Sequence, residues 1–413
     1  MTPRDAIADR DPAPVLYLTH RVPFPPDKGD RIRNYNLLKQ MFQRGRVWLA
    51  CLADETVPRE TVEELRRHCD RLAIVRSNRF KRWLKGGFSL LRGRSISEGL
   101  FAERGLRRVI REWAGETRFQ AAVVSASSLV PYLRMDALAR TPAVVDLVDV
   151  DSQKWLDFAA MSRGPKKWLY RTEARRLRRL EGGLPGWTRA VAVVSRAEAD
   201  AYESFAGAGA ATVASNGVDL EYFQPSGAAT DLACVFVGAM DYHPNVDGAV
   251  WFAREVWPLV RATFPTAEFR IVGRKPIAAV EALGKLPGVV VTGGVPDVRP
   301  YVASSMVVVA PLRLARGVQN KVLEALAMGK PVVAAPPALA ALGTVDGVDV
   351  LSAAAPREFA AAVCELLGSP SRCRELGAAG RRYVELHHHW DRCLQPLIEK
   401  IFIPDAPASV ADV

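Results

Sequence analysis

The segment GVQNKVLEALAMGKPVVAA, residues 317–335, predicts a helix, a turn and a strand in one short run. Helix-favouring residues fill its first half, a Gly-Lys-Pro turn follows, and a short apolar stretch closes it. Val318, Val322 and Leu326 recur at helical spacing and predict a buried stripe, whereas Glu324 lies off that stripe. A helix that leads directly into a short apolar strand is typical of a parallel α/β sheet.

Similar units recur on both sides of this segment. The first set of predicted buried strands is 15–20, 47–53, 73–77, 121–127, 143–149 and 190–195. The second set is 233–240, 269–273, 288–294, 306–311 and 331–336. Helix-like segments separate these strands, which predicts two parallel sheets covered on both faces. We therefore predict an α/β fold of two Rossmann-like, doubly wound domains that face each other across a cleft.

The length of 413 residues favours two domains over one. The turn-rich stretch around Asn216-Gly217 marks the predicted junction. We predict five parts: a loose tail 1–13, an N-terminal domain 14–212, a C-terminal domain 213–386, a final helix 387–402 and a tail 403–413.

The composition is that of a globular chain, with 49% apolar residues, 24% charged residues and a mean hydropathy near zero. No apolar run reaches the roughly 18–20 residues that a membrane span needs, and the first residues lack the order of a secretory signal. Six scattered cysteines without a CxxC pair argue against a disulfide framework or a zinc site. We expect a cytoplasmic protein. The run His387-His388-His389 could bind a metal ion, but a helix start is the preferred interpretation.

The net charge of +11 is concentrated in two stretches. Residues 71–97 contain eight Arg/Lys and no acid, and residues 163–180 contain eight Arg/Lys and one Glu. Trp83, Phe88 and Trp168 are among the apolar residues that interleave with these charges, as in helices that lie on acidic lipid headgroups. Solvated helix faces explain the pattern equally well. Nucleic-acid binding is disfavoured because no recognition motif accompanies the charge.

Glu324 has two interpretations on chemistry alone. It could form a surface ion pair with Lys321 three residues earlier, which contributes about 0.3 kcal/mol. Alternatively, its carboxylate could accept hydrogen bonds from ligand hydroxyls. Gly317 precedes the helix and would allow a ligand to approach the backbone, where the free amides of a first helical turn bind phosphate well.

Four further stretches, together with the segment quoted first, carry a specific resemblance. FVGAMDYHPNVDG (236–248), VTGGVPDVRPYVASSMVVVAPLR (291–313) and the segment quoted first resemble the nucleotide-binding half of family 4 retaining glycosyltransferases, which have the GT-B fold. LTHRVPFPPDKGDRIRNYNLL (18–38) and DLVDVDSQKW (146–155) resemble the branch associated with the exosortase/PEP-CTERM exopolysaccharide system. The resemblance covers the chain from about Val15 to about Ile401, and it implies that the final helix crosses back to the first domain.

For the donor, the resemblance implies that Glu324 holds the ribose hydroxyls of a nucleotide. A second family glutamate, eight positions earlier, is replaced here by Arg316, which could instead neutralise the diphosphate. Gly317 and Val318 keep a backbone-amide role.

A second donor-side departure follows Gly238, the glycine that ends the first strand of this half. Ala239 stands where many relatives have a phosphate-binding arginine, and no lysine follows at the matching place. The cations that could substitute are Arg274, Lys275 and Lys321. The resemblance also implies that the backbone of Gly294 and Val295 packs against the nucleotide base.

On the acceptor side, the loop beyond the first strand is rich in groups that bind phosphate. The candidate residues are Lys28, Gly29, Asp30, Arg31 and Arg33. A solvated loop with Asp30 as a helix cap is the alternative.

His20 ends the first strand and could orient an acceptor hydroxyl, with a buried structural histidine as the alternative. Asp149-Val150-Asp151 has the Asp-x-Asp pattern that binds a metal ion in the other large glycosyltransferase class, but it lies in the wrong half. An acceptor contact or a loop cap is preferred for Asp151, and we predict no metal site. Asp146 is predicted to be structural. His243 is a weaker donor-side candidate.

The sequence thus predicts a metal-independent glycosyltransferase without a cofactor, with His20, Arg316 and Asp151 as candidate catalytic residues. The predicted partners are a UDP- or GDP-sugar donor, a lipid-linked or glycan acceptor, and the anionic inner face of the cytoplasmic membrane. A nucleotide-sugar epimerase and a non-catalytic sugar-binding protein remain alternatives. Diphosphate departure needs stabilising positive charge, which a helix N-terminus and basic side chains supply.

Overall fold

The computed structural model of the protein describes residues 13–227 and 230–403. The predicted tails lie outside the described residues except for Ala13 and Ile403. The described chain forms two compact units. The first contains the residues up to Ala214 together with those from Leu394 onwards, and the second contains Ser215–Cys393.

The first unit is built on a parallel sheet of seven strands. They are β1 (Val15–Thr19), β2 (Val47–Ala53), β3 (Arg71–Arg76), β4 (Ala121–Ser125), β5 (Ala143–Val148), β6 (Ala190–Val193) and β7 (Thr212–Val213). Their order is β3-β2-β1-β4-β5-β6-β7. Strands β1, β2 and β4 are buried throughout, as expected for apolar runs covered on both faces. The prediction of a buried strand at 73–77 is wrong, because β3 lies at the sheet edge and is partly exposed.

Helices cover this sheet, and their apolar residues follow the helical repeat. They are α1 (Gly29–Arg44), α2 (Arg59–Arg66), α3 (Arg79–Leu91), α4 (Ile96–Leu100), α5 (Arg104–Glu116), α6 (Val130–Leu133), α7 (Asp151–Ala160), α8 (Gly164–Gly182) and α9 (Arg196–Ala206). In α5, for example, Leu106, Ile110 and Trp113 are buried in the core, and the opposite face carries arginines.

The second unit contains a six-stranded parallel sheet. Its strands are β8 (Asp231–Val237), β9 (Glu268–Val272), β10 (Val289–Gly293), β11 (Ser305–Ala310), β12 (Val332–Ala334) and β13 (Leu351–Ser352). Their order is β10-β9-β8-β11-β12-β13. In both sheets the chain starts in the middle, moves to one edge and returns to the other side. The direction of winding therefore changes between β1 and β4 and between β8 and β11, and ligands bind at such points in open α/β sheets.

The helices of the second unit pack on both faces of its sheet. They are α10 (His243–Trp251), α11 (Trp257–Thr263), α12 (Ala278–Glu281), α13 (Arg299–Ser304), α14 (Asn320–Ala327), α15 (Pro336–Leu339), α16 (Pro356–Gly368) and α17 (Pro370–His387). One wider π-helical turn, Phe252–Val256, joins α10 to α11. None of the described helices is both long enough and apolar enough to cross a membrane.

Helix α14 begins later than the sequence pattern predicts. Gly317 adopts a left-handed backbone with φ of 59°, and Gln319 is extended, so regular helix starts at Asn320. Val318 therefore belongs to the preceding loop, where it packs half-buried against the core. Val322 and Leu326 are fully buried, as the stripe predicts.

The final helix, α18 (Trp390–Ile401), begins in the second unit, and its residues from Leu394 onwards belong to the first. Within the first unit, the Arg44 guanidinium at the end of α1 donates a hydrogen bond to Gln395 Oε1 at 2.5 Å. The ring of Phe402 lies over Gly45, where an added Cβ would be 2.9 Å from the ring. Phe402, which follows α18, thus packs on the loop after α1.

A buried ion pair joins α1 to β5. The Arg33 guanidinium donates two hydrogen bonds to the Asp146 carboxylate, at 2.7 and 2.9 Å, and a third to the Ala214 carbonyl oxygen at 2.8 Å. Both side chains are fully buried. The prediction of Arg33 in a phosphate-binding loop is therefore wrong, because its charge is enclosed by protein. The structural role predicted for Asp146 is confirmed.

Replacing Asp146 with Ala would leave the Arg33 charge buried and unpaired. We expect Asp146→Ala to destabilise the first unit by about 3–5 kcal/mol. Glu63→Ala, which removes an exposed partner of Arg59, should cost less than about 0.5 kcal/mol. Urea denaturation followed by fluorescence and circular dichroism compares the two, and equal small losses would contradict the assigned role of the buried pair.

Candidate functional site

The loops at the carboxyl end of the second sheet meet through glycines. Gly238 follows β8 and Gly273 follows β9, and their backbones are in contact. A Cβ at Gly273 would lie only 1.6 Å from the Gly238 carbonyl oxygen, so no other residue fits there without moving the chain. Gly273 N–H in turn donates to the carbonyl oxygen of Gly293 at the end of β10. Three neighbouring strands thus end in one close-packed backbone layer.

Lys321 reaches this layer from α14. Its ammonium donates a hydrogen bond to Asn245 Oδ1 at 2.5 Å and lies 4.7 Å from the centre of the Phe236 ring. A Cβ at Gly238 would be 3.0 Å from Lys321 Nζ, which places the ammonium directly beside the β8 loop. Asn245 Nδ2 also donates to the Ala239 carbonyl oxygen, so the amide links the lysine to the loop. The Lys321 ammonium therefore lies beside the loop after β8, in which Ala239 supplies no positive charge.

Glu324 lines the same pocket as Lys321, together with apolar side chains from the neighbouring strands and helices. It is half-buried, and within the described chain its carboxylate makes no hydrogen bond and no ion pair within 4 Å. The interpretation of Lys321 and Glu324 as a solvated surface pair is therefore wrong. The carboxylate oxygens therefore have no hydrogen-bond partner among the described residues.

Burial shifts the protonation of both groups towards neutrality. Burial raises the pKa of Glu324 to about 7, and the charge of Lys321 opposes this rise. Burial lowers the pKa of Lys321 to about 7, and the charge of Glu324 opposes this fall. A ligand that brings hydroxyls to the acid and negative charge to the amine would favour the charged form of both.

The loop before α14 presents backbone groups rather than a capping side chain. No described side chain caps the first turn of α14. The Gln319 side chain instead folds back and donates to the carbonyl oxygens of Arg316 and Gly317, at 2.8 and 3.4 Å. The Arg316 side chain is exposed at the start of this loop. The Val322 and Leu323 amides donate to the Gln319 carbonyl oxygen, at 2.9 and 3.4 Å, which leaves the Asn320 and Lys321 amides at the start of α14 for another partner, as at helix ends that bind anions.

The other predicted donor residues lie on the loops after β9 and β10. Arg274 is half-buried, and its carbonyl oxygen accepts from Met240 N–H. Lys275 is exposed, with its ammonium 4.0 Å from an Asp241 carboxylate oxygen. A Cβ at Gly294 would lie 3.4 Å from the Arg274 Cβ, which brings these two loops into contact, and Val295 packs half-buried beside them.

In the first unit, His20 and Asp30 come together beside the end of β1. His20 Nε2 lies 3.2 Å from Asp30 Oδ2, and Arg21 donates to the same oxygen at 3.1 Å. Burial alone would raise the pKa of Asp30, but its hydrogen bond with His20 and the charges of His20 and Arg21 outweigh burial and lower it. Asp30 is thus a carboxylate that fixes the histidine ring, whose other face contacts Phe101 edge-on at 5.4 Å.

The remaining residues of the predicted acceptor loop divide by their contacts. Lys28 is half-buried before α1, and Gly29 is exposed at its first position. Arg31 is buried and is engaged by Asp27 at 3.1 Å and by Glu55 at 2.7 Å. Of the two predicted arginines, Arg31 thus forms ion pairs from the first turn of α1, and Arg33 lies in the core.

Asp151 is the first residue of α7, and its carboxylate accepts a short hydrogen bond from Ser127 Oγ, in the segment after β4. Buried acids hold the backbone around it. Glu198 accepts from Val150 N–H at 2.8 Å, and Glu181 accepts from Ser152 N–H at 3.2 Å. Burial raises the pKa of Glu181 to about 8, against the hydrogen bonds from Ser152. Asp151 is therefore fixed beside the point where the first sheet changes direction of winding.

The central residue of the histidine run, His388, has a structural role. His388 Nδ1 lies 2.9 Å from the Asn216 carbonyl oxygen, and its Nε2 lies 3.2 Å from the Tyr383 hydroxyl. His387 and His389 are exposed, as is His243 at the start of α10. Within 13–227 and 230–403, no cluster of three or more His, Cys, Asp or Glu has the arrangement of a metal site.

Two residues of the candidate functional sites, Asn245 and Ser127, were not predicted from the sequence. Asn245 holds Lys321, although 76 positions separate them, and Ser127 holds Asp151 across 24 positions. A signal for Asn245 was present, because it is a polar residue in the first turn of a helix that follows a glycine-ended strand. Ser127 lies in the stretch Ser125-Ala126-Ser127, and nothing in the neighbouring sequence indicates that Asp151 is its partner.

Comparisons with known proteins agree with this architecture. Residues 231–369 match the family model described as Glycosyl transferases group 1. No curated protein matches the sequence. HepE from Anabaena in complex with UDP-glucose is 16% identical, with 94% of this chain and 99% of that chain covered and a TM-score of 0.67.

Two further solved structures are similar over nearly the whole chain. Sucrose-phosphate synthase from Thermosynechococcus elongatus is 15% identical, with 93% of this chain and 97% of that chain covered and a TM-score of 0.67. A TarM mutant of S. aureus, in complex with Fondaparinux, alpha-GlcNAc-glycerol and UDP, is 10% identical, with 95% and 100% covered and a TM-score of 0.68. The chain therefore has the GT-B fold, as the sequence predicts.

Proposed function

We propose that this protein is a glycosyltransferase that uses a nucleoside-diphosphate sugar as donor. The observation that carries the proposal is the pocket in which Glu324, without a hydrogen-bond partner in the described chain, lies beside the ammonium of Lys321. An acid for hydroxyls and a cation for phosphates, both at the end of parallel strands, match the two polar parts of a nucleotide. The group 1 match of residues 231–369 and the UDP or UDP-glucose held by HepE and TarM support this proposal.

In the proposed donor complex, Glu324 accepts hydrogen bonds from the ribose hydroxyls. Lys321 supplies the cation that the loop after β8 lacks, and Asn245 positions it. The backbone amides of Gly317, Val318 and the first turn of α14 receive the diphosphate. Further donor contacts are assigned to the loops after β8, β9 and β10, at Gly238, Arg274, Lys275, Gly294 and Val295.

The proposed reaction breaks the bond between the anomeric carbon and the diphosphate oxygen. The acceptor hydroxyl oxygen forms the new bond to that carbon, and its proton passes to the departing diphosphate. Arg316, Lys321 and the helix N-terminus stabilise the growing negative charge without requiring a metal ion. His20 and Asp151 are proposed to orient the acceptor. Departure and attack on the same face would give retention, as the resemblance to family 4 implies.

For the acceptor, we propose a lipid-linked or polysaccharide substrate in exopolysaccharide or cell-surface glycan synthesis, as in the PEP-CTERM-associated branch. Helix α3 supports contact with the inner face of the cytoplasmic membrane. Trp83, Leu84, Phe88 and Leu91 are 72, 75, 54 and 85% exposed, and their spacing puts them on one face. This face lies in the basic stretch 71–97, so apolar and electrostatic attraction to acidic lipids would act together.

Incubating the protein with a panel of UDP-, GDP- and ADP-sugars tests the proposed function. We expect slow release of the free nucleotide diphosphate from one donor, because water replaces the absent acceptor. An epimerised sugar nucleotide would instead indicate an epimerase, and binding without turnover would indicate a sugar-binding protein.

Replacing Glu324 with Ala should remove the proposed ribose contact. We expect Glu324→Ala to weaken binding of the preferred nucleotide by about tenfold to a hundredfold, the loss expected for a charge-assisted hydrogen-bonding group. Thermal-shift titrations and calorimetry with UDP and GDP measure this loss. Glu255→Ala, at an exposed position of the same unit, is the matched control. Equal affinities in the two variants would argue against the assignment.

The lowered pKa of Lys321 gives nucleotide binding a specific pH dependence. The free protein loses the Lys321 proton near pH 7, whereas a bound diphosphate favours the protonated form, so binding takes up a proton above pH 7. We expect affinity for the diphosphate to fall about fivefold between pH 7.5 and 8.5, where Glu324 and the phosphate are already ionised. Lys321→Gln should bind more weakly and show almost no such slope. A slope that survives this substitution would contradict the role of Lys321.

The exposed face of α3 is tested by flotation with lipid vesicles. We expect the protein to bind vesicles of phosphatidylcholine mixed with phosphatidylglycerol. Leu84→Ser/Leu91→Ser should reduce the bound fraction at least threefold, because two apolar side chains no longer enter the lipid. Val345→Ser/Val348→Ser removes two apolar side chains of the second unit, which are 56 and 55% exposed, and should leave binding unchanged. If both double variants bind like the wild type, α3 is not the membrane contact.

A further inference from the structure

Five of the nine residues that line an open pocket in the first unit are arginines. Its empty volume is about 1010 Å³, including the open mouth, and the helices α3, α4, α5, α6 and α8 or the turns after them contribute to its wall. The charged residues that line it are Arg94, Arg107, Arg134, Arg176, Arg179 and Glu98. None of the residues assigned to the donor site or to the acceptor loop lines this pocket. The pocket is therefore separate from the proposed catalytic machinery.

The positive charge of this pocket is not neutralised by the part of the chain that the structure describes. None of the five arginines has a carboxylate within 4 Å there, although ion pairs join many other arginines of this protein. Glu98 is the one acid in the wall, and it accepts hydrogen bonds from Ser95 N–H and Ser95 Oγ, both at 2.9 Å, at the start of α4. Its single negative charge offsets only part of the five positive charges.

Three of the guanidinium groups are held in place by groups that leave their charge intact. Arg176 donates to the carbonyl oxygens of Leu90 and Arg94, at 2.7 and 2.8 Å. Arg107 lies over the ring of Tyr132 at 5.4 Å, and Arg134 lies over the ring of Trp187 at 5.0 Å. Carbonyl oxygens and aromatic faces orient a guanidinium without supplying a counter-charge. The pocket is thus preorganised for an anion.

A neighbouring stripe on α5 extends the positive surface. Arg104, Arg107, Arg108 and Arg111 are spaced by three and four residues, so they share one face of the helix, and Arg107 belongs to both the stripe and the pocket. Like charges at this spacing destabilise a helix by a few tenths of a kcal/mol per pair. Glu112 lines the same surface, so four arginines there are accompanied by one acid. An anionic ligand would supply the counter-charge that the remaining arginines lack.

We propose that this arginine pocket is a binding site for a phosphate group of at least two negative charges. Planar guanidinium groups bind phosphate oxygens in pairs, which makes arginine suited to this chemistry. The group could belong to a lipid headgroup or to a soluble phosphate compound. The site does not depend on the proposed glycosyl transfer, so either proposal can fail alone.

Binding of two probes tests the site: inorganic pyrophosphate by calorimetry, and vesicles of phosphatidylcholine containing phosphatidic acid by flotation. The test variant is Arg134→Gln/Arg179→Gln, which changes two exposed side chains of the wall. The control is Arg163→Gln/Arg171→Gln, which removes the same charge from exposed positions at or in α8, outside the pocket. Arg134→Lys/Arg179→Lys keeps the charge but not the paired geometry.

We expect the glutamine variant to lose about tenfold or more in affinity for at least one probe, and the control to lose less than threefold. The lysine variant should lie between the wild type and the glutamine variant. Loss with vesicles alone would identify a lipid headgroup as the source, loss with pyrophosphate alone a soluble compound, and loss with both a site open to either. If the test variant and the control bind each probe equally, the pocket is not a phosphate site and the proposal is overturned.

Discussion

The close contact between the backbones of Gly238 and Gly273 is the constraint on which the candidate site depends. Any side chain at Gly273 would collide with the Gly238 carbonyl oxygen, so the strand ends of the second sheet can form one layer only with glycine there. The absence of a side chain at Gly238 leaves room for the Lys321 ammonium and the Asn245 amide beside the loop. The positions of the charged and polar groups in the site thus depend on Gly238 and Gly273, which have no side chains of their own.

Within the site, burial and function are coupled through Lys321 and Glu324. Both groups lie where burial disfavours their charged forms, which costs the unliganded protein stability. A strained or destabilised arrangement of this kind is characteristic of binding sites, because the ligand supplies the missing interactions. The Arg33–Asp146 pair shows the opposite case, in which two buried charges satisfy each other and need no ligand.

Much of the fold could be predicted because its strands are apolar and β-branched throughout. The predicted strands at 47–53 and 306–311 coincide with β2 and β11 to within one residue, since both faces of these strands are buried. The two-residue strands β7 and β13 carry too little pattern to be recognised. The placement of Glu324 off the apolar stripe also followed from the helical repeat. The role of Arg33 did not, because its partner Asp146 is 113 residues away and a polar loop precedes it.

The central claim is that the pocket beside Gly238 receives a nucleoside diphosphate. A crystal structure of the protein with its preferred nucleotide tests this most directly. The account predicts that the ribose hydroxyls lie within hydrogen-bonding distance, about 2.6–3.2 Å, of the Glu324 carboxylate, with the phosphates at the Lys321 ammonium and the first turn of α14. A nucleotide bound elsewhere, or a Glu324 carboxylate that contacts only protein in the complex, would contradict it.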